Sequence, residues 1–213
     1  MRTDDLIAML GTNVEPVNHR RVAQTVSSAI AIGAATSLGL TLVASGVRTD
    51  LNEVGAWTFL AVKLGFAVAI VAVGSVHLVR AARPGGERKT PISILTLPFI
   101  AMMVLAAISI AYAPSSHWSR MVVGDQWLEC LVSIPVIAVM PFAAVVWAVR
   151  RSAPTSLERA GALAGLVAGG LSAVGYALHC TDDSLPFVAL WYGAAVALCA
   201  LAGAMLGPRL LRW

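Results

Sequence analysis

Cys130 opens one long apolar run, directly after Trp127-Leu128-Glu129. Cys180 follows another, in Leu178-His179-Cys180-Thr181-Asp182-Asp183. Two thiols at one surface form a disulfide in an oxidising compartment, or hold a soft metal ion such as zinc or cadmium. His179, Asp182, Asp183 and Glu129 are the neighbouring side chains able to complete a metal site. Two unrelated cysteines at helix ends is the third reading, and residue types alone leave all three open. Cys199 lies in the middle of an apolar run among Ala and Leu and reads as a small buried hydrophobe. There is no CxxC and no HExxH, which removes thioredoxin-like chemistry and the standard zinc motifs. Paired histidines within the apolar runs, as a haem site needs, are absent too. The chain is therefore not expected to be an enzyme. It requires no cofactor, and a metal at Cys130 and Cys180 is its one candidate ligand.

Lys63 is the basic residue within an apolar run. A buried ammonium is expensive and needs water or a partner. It either snorkels outward or pairs with Asp182 or Asp183. The first function this suggests is an internal latch or an ion pathway, and the plain reading is a satisfied pair inside a helix bundle. A small secondary transporter using Lys63 and the acids is the alternative function. It would need more polar residues along the middle of the runs. His77 reads as interfacial, and Pro98, Pro135 and Pro141 are expected to kink the helices that contain them.

These residues need a scaffold, and composition decides its class. Of 213 residues, 58% are apolar and only 12% charged, with a mean hydropathy of +0.81. A soluble domain holds about 45–50% apolar and about 25% charged residues, so a soluble monomer is excluded. Six apolar stretches stand at about 22–46, 54–79, 92–113, 128–149, 158–178 and 186–207. Each matches the roughly 20 residues that a membrane-crossing helix consumes. Lipid cannot satisfy free backbone groups, and runs of this length without two-residue alternation are helices. The expected fold is all-α: a six-helix transmembrane bundle over 22–213, preceded by a tail over 1–21. Gly161, Gly165 and Gly169, with Gly203 and Gly207, form small-x3-small steps that suit close helix packing.

Twelve of the 15 basic residues fall at the start of the chain, between the second and third or fourth and fifth runs, or at the C-terminus. Arg48 and Arg120 fall on the opposite side. Excess Lys and Arg mark the cytoplasmic face, so both termini are expected inside, in a bacterial inner membrane. Both Cys130 and Cys180 then face the periplasm. The pI of about 9.3 thus reflects topology, and direct nucleic-acid binding is not expected. Trp57, Tyr112, Trp118, Trp127, Tyr176, Trp191 and Tyr192 near the outer ends read as an aromatic belt.

The tail begins Thr3-Asp4-Asp5-Leu6-Ile7-Ala8-Met9-Leu10-Gly11. Thr3 can cap a short helix, Asp4 and Asp5 suit its positive end, and Leu6, Met9 and Leu10 share a face. So short a helix is unstable alone. It is expected to order on a partner, with Thr3, Asp4, Asp5, Leu6, Ile7 and Leu10 as the contact set.

Several of these pieces together resemble the NrsF family. They are the opening Arg2-Thr3-Asp4-Asp5-Leu6-Ile7, Cys130 with Ile134-Pro135, Arg150-Arg151-Ser152-Ala153-Pro154-Thr155, and Tyr176 to Ser184 followed by Phe187-Val188-Ala189 and Trp191-Tyr192. The resemblance covers essentially the whole chain. It implies an inner-membrane anti-sigma factor that restrains an extracytoplasmic-function (ECF) sigma factor of the sigma-F type. It further implies that the tail holds the sigma factor, and that Cys130 and Cys180 sense heavy metal or oxidative stress. Many anti-sigma factors carry a soluble zinc-binding HxxxCxxC domain. This chain has none, so sigma binding rests on the tail and inner loops.

Overall fold

The computed structural model of the chain describes residues 3–11, 19–50, 55–83, 93–152 and 154–212. Among these the regular structure is entirely helical. A nine-residue helix, α1 (Thr3–Gly11), precedes α2 (His19–Ala44), α3 (Ala56–Ala81) and α4 (Ser93–Tyr112). A 3-10 turn (Ser115–His117) and the short α5 (Trp118–Val123) lead into α6 (Trp127–Arg150), then α7 (Leu157–Ala177). The last rod starts with α8 (Leu185–Phe187), passes through a π-turn (Val188–Tyr192) and continues as α9 (Gly193–Leu210). Among the described residues, six helices are long and apolar enough to cross a membrane, the expected number. Residues 114–125, between the third and fourth apolar runs, contain the 3-10 turn and α5. Arg88 and Lys89 lie outside the described residues, as do the side chains of Leu6, Ile7, Leu10, Arg20 and Arg21.

Local signals explain the helix ends. Ser156 Oγ accepts the Arg159 N–H, capping α7. Ser184 Oγ accepts the Phe187 N–H at the start of α8, with Pro186 in the first turn, where its missing donor costs nothing.

The centre of the bundle is α7. It packs against α2, α3, α6 and α9, and its glycines set the approach. A Cβ on Gly161 would collide with the Gly203 carbonyl, and one on Gly165 with the Cys199 carbonyl. The reverse holds too, since a Cβ on Gly203 would strike the Gly161 carbonyl. On another side of α7, a Cβ on Gly175 would lie 2.9 Å from Thr41 Oγ1 and 3.0 Å from the Ser37 carbonyl of α2. The small-residue steps are thus helix-to-helix contacts within the bundle.

The periphery has the opposite character. In α4 only Met102 and Ala106 are buried. Leu97, Met103 and Val104 are each more than half exposed. A helix that is apolar on all sides, yet uncovered by protein, fits an apolar surrounding.

Among the described residues, two large apolar clusters and a small third one around Cys199 fill the interior. One gathers Val26, Leu78, Val145, Val149, Val167 and Leu211 at the end where α2 begins and α9 finishes. The other gathers Leu60, Phe66, Ile134, Phe187 and Val196 toward the far end. Cys130 and Cys180 belong to the second cluster.

Candidate functional site

Cys130 lies in the first turn of α6, and Cys180 lies in the 178–184 link between α7 and α8. Both are wholly buried and both are free thiols. They share the far apolar cluster with Tyr176 and Tyr192. The rings of Tyr176 and Tyr192 are 6.0 Å apart. Their hydroxyls are buried without a hydrogen-bond partner, and that of Tyr192 lies beside the Cys180 thiol. These two tyrosines therefore belong to the interior and not to an aromatic belt. Trp57 and Tyr112, by contrast, are exposed at the helix ends. Burial pushes the Cys180 thiol above its ordinary range, because an ion there would lose its hydration.

The link that carries Cys180 is held from two sides. On one side, Lys63 of α3 is completely buried. Its Nζ donates to the Cys180 carbonyl at 2.9 Å and to Asp183 Oδ1 at 2.8 Å. Arg48, beyond the end of α2, is buried as well. Its Nη1 and Nη2 donate to Asp183 Oδ1 and Oδ2 at 3.0 and 2.6 Å. Its Nε and Nη2 donate to Asp50 at 2.6 and 2.7 Å. The Arg48 backbone N–H adds a bond to the Leu178 carbonyl at 2.9 Å. Two cations and two carboxylates thus form a neutral cluster. Hydrogen bonds to Asp50 first, and then to Asp183, raise the Arg48 guanidinium still further above its ordinary range. The same bonds hold the Asp50 carboxyl below the usual carboxylate range. Of the two partners open to Lys63 in the sequence, Asp183 is the one it takes.

On the other side, Asp182 reaches the start of α6. It accepts the Gln126 N–H at 2.7 Å and the Asp125 N–H at 3.1 Å. It acts as a helix cap supplied from a distant segment, at the positive end of the helix dipole. Gln126 Oε1 returns a bond by accepting the Thr181 N–H. Gly124 permits this approach. It has a φ of +62°, and a Cβ there would sit 2.8 Å from Asp182 Oδ2. Ser184 Oγ donates to the Met121 carbonyl and Trp191 Nε1 to the Val122 carbonyl, pinning α5 over the site. A polar cavity of about 470 Å³ opens beside the link, lined by His117, Arg120, Asp125, Thr181, Asp182 and Asp183 among others.

His179 Nε2 lies 3.4 Å from Glu129 Oε1, and its ring packs near Tyr176. Among the described residues, no three His, Cys, Asp or Glu side chains are grouped to hold a metal. The donor set near Cys130 and Cys180 is therefore two thiols and two phenols, with Asp182 engaged on backbone N–H groups. Cys199 sits apart, packed with Ala138 and Ala168 at an apolar groove of about 340 Å³ between α6, α7 and α9. Thr3, Asp4, Asp5 and Met9 of α1 are exposed.

Arg48 is the site residue that sequence reasoning missed. Its signal was present: a basic residue on the side from which the charge bias excludes them, two positions before an acid.

Comparison with known proteins fits this whole-chain pattern. The family model described as "Negative regulator of sigma F" (NrsF) matches residues 10–213. A "Probable anti-sigma-F factor NrsF" of Azospira oryzae is 35% identical over 213 residues, spanning both chains completely. An "Anti-sigma-F factor NrsF" of Caulobacter vibrioides is 32% identical, again across the full length of both. No solved structure matches the chain. By the family match over nearly its whole length, and by two full-length relatives, the chain belongs to the NrsF family.

Proposed function

We propose that this protein is a membrane-embedded anti-sigma factor. It sequesters an ECF sigma factor of the sigma-F type on its cytoplasmic side and releases it when Cys130 and Cys180 engage a soft metal ion or are oxidised. Family membership supports the anti-sigma half, through relatives that are named for it. Six apolar helices with an uncovered periphery support residence in a bilayer. The basic bias supports cytoplasmic termini and a periplasmic cysteine end.

One observation carries the sensor half: the two thiols lie in the same buried cluster while Cys199 lies in another. In the metal reading a divalent ion takes both sulfurs and two protons leave. In the oxidative reading a two-electron oxidant such as a peroxide takes up the electrons of both thiols, a disulfide forms, and the protons leave with the reduced oxidant. Either product replaces two separate buried thiols by one bonded unit, and in this reading the start of α6 and the Cys180 link shift to accommodate it. Reversing a 1:99 balance of held and released sigma factor takes about 5.5 kcal/mol of differential binding. Four-ligand structural zinc sites reach about 10–16 kcal/mol in total, so a two-thiolate site meets the requirement if about half of that total is realised only in the released state. The tail, with Asp4 and Asp5 exposed, is the sigma-binding element in this reading.

A sigma-dependent reporter tests it in cells. Cys130→Ser and Cys180→Ser each lose induction by cadmium, and the double variant is no worse than either single. Cys199→Ser responds like the parent. Normal induction in the double variant removes the sensor assignment and leaves the anti-sigma one standing.

A further inference from the structure

We propose that Lys63, Arg48 and Asp183 form the strut through which a change at Cys180 reaches α2 and α3. This rests on the sensor reading above and names the part that carries its signal. The key observation is that Cys180 holds both ends of the coupling. Its thiol is in the buried cluster with Cys130, and its carbonyl accepts from Lys63 Nζ at 2.9 Å. Arg48 Nη1 lies 3.4 Å from the same oxygen. A rotation that carries the sulfur toward a ligand moves the carbonyl of the same residue, and two buried cations feel it.

Those cations stand on different elements. Lys63 is on α3, and Arg48 follows α2, bound through its own N–H to the Leu178 carbonyl. Asp183 joins them, receiving Lys63 on Oδ1 and Arg48 on both oxygens. The far ends of α2 and α3 meet the other apolar cluster, through Val26 and Leu78, on the side where the tail begins. Two helices are thus anchored at the cysteine end by one charge cluster and run the length of the bundle away from it. Lys63 and Arg48 are positioning residues: they touch the Cys180 backbone and do not ligate the inducer.

The cluster also has a way to open. Asp183 lines the polar cavity shared with His117, Arg120 and Asp182. Once the Cys180 carbonyl turns away, water from that cavity replaces it on Lys63. The closed strut, with Lys63 on the Cys180 carbonyl, and the open one, with water in that place, are two discrete states, as a switch requires.

Lysine footprinting on the parent protein tests this without any substitution. The chain has two lysines, Lys63 and Lys89, and each is read against its own modification in the denatured protein. The complex with the sigma factor is treated with an amine-reactive ester, with and without cadmium, and modification is read by mass spectrometry. Lys63 is expected to be protected at first. As cadmium releases the sigma factor, Lys63 modification rises about tenfold on that scale, following the population of the open state. Release of the sigma factor with Lys63 still protected overturns the strut and spares the sensor. No release of the sigma factor by cadmium overturns the sensor reading, and the strut with it.

Two variants add direction. Lys63→Met and Asp183→Asn, scored at parental membrane levels, turn on the sigma-dependent reporter without inducer. Adding Cys130→Ser does not silence them, because the strut acts downstream of the thiols. A silent reporter with normal cadmium induction in both variants overturns the proposal. Where a variant fails to accumulate, the footprint of the parent decides.

Discussion

At the scale of single residues, the proposed sensor turns on the Cys180 thiol. Burial keeps the Cys180 thiol above its ordinary range, so at pH 7 a metal ion must displace protons to bind. Two thiols lose one proton each, and below the thiol pKa the affinity is then expected to rise about a hundredfold per pH unit. Cadmium titration of the purified protein between pH 6 and 7 checks this. A slope of one proton would mean that a single cysteine binds. The acid side is governed by Asp50. Its carboxyl is lowered by the Arg48 hydrogen bonds. Its stabilising contribution is therefore complete above the unfolded carboxylate value of about 3.9. It is lost only as pH falls through the lower folded value. The Arg48 cluster is expected to persist through mild acid, and hydrogen exchange of the Arg48 N–H across pH 5 to 7 should show no loss of protection. Removing Lys63 is a different matter. Truncating one member of a buried ion pair typically costs about 3–5 kcal/mol, since Asp183 would keep a charge with one partner fewer.

At the scale of elements, α7 and α9 touch backbone to backbone. The Cβ positions of Gly161, Gly165 and Gly203 are occupied by carbonyl groups of the facing helix. A larger residue there cannot be absorbed by a rotamer change, because the obstruction is main chain. Gly165→Leu is expected to force the helices apart and cost at least about 1–3 kcal/mol, the usual penalty of overpacking. Gly39→Ala meets nothing within 4 Å and should leave stability unchanged or slightly improved. Thermal unfolding in detergent compares the two. The α6 start offers a second case. Asp182 caps it from outside the helix, and Asp182→Ala is expected to cost about 1 kcal/mol, as loss of a cap does. Asp182→Asn, which keeps an acceptor oxygen, should recover most of that. If Asp182 were instead a metal ligand, Asn would fail where Asp works, and cadmium affinity would fall while stability held.

At the scale of the whole molecule, the bundle presents an apolar periphery and segregated charge. Reporter fusions test the orientation drawn from it. Fusions at residues 1, 86 and 213 should read cytoplasmic, and one near Ser116 periplasmic. A cytoplasmic reading at Ser116 would place both cysteines on the wrong side for the proposed sensor. The tail is tested separately. Deleting residues 2–10 should abolish co-purification of the sigma factor and leave the bundle intact in the membrane. Retention of the sigma factor by the truncated chain would move the binding site to the inner loops.

Much of this molecule was legible in its sequence, for reasons of scale. Apolar runs of about 20 residues report themselves, because a bilayer imposes a length on any helix that crosses it. Small residues four apart on α7 and α9 announced close packing, since only a missing side chain lets two backbones meet. Cys130 and Cys180 stood out from Cys199 by position alone. What the sequence could not convey was pairing. Lys63 had two acids within reach, and only the folded chain selects Asp183 and commits Asp182 to the start of α6. Tyr176 and Tyr192 looked like surface aromatics at helix ends and prove to be interior. Arg48 looked like a loop residue and is the buried centre of a charge cluster. In each case the deciding quantity is burial, set by which helices surround a position. That depends on residues more than a hundred places away, 135 in the case of Arg48 and Asp183. Local pattern determines that a helix forms and which compartment its flanks prefer. Tertiary packing alone determines which charge meets which, because that choice belongs to no single helix.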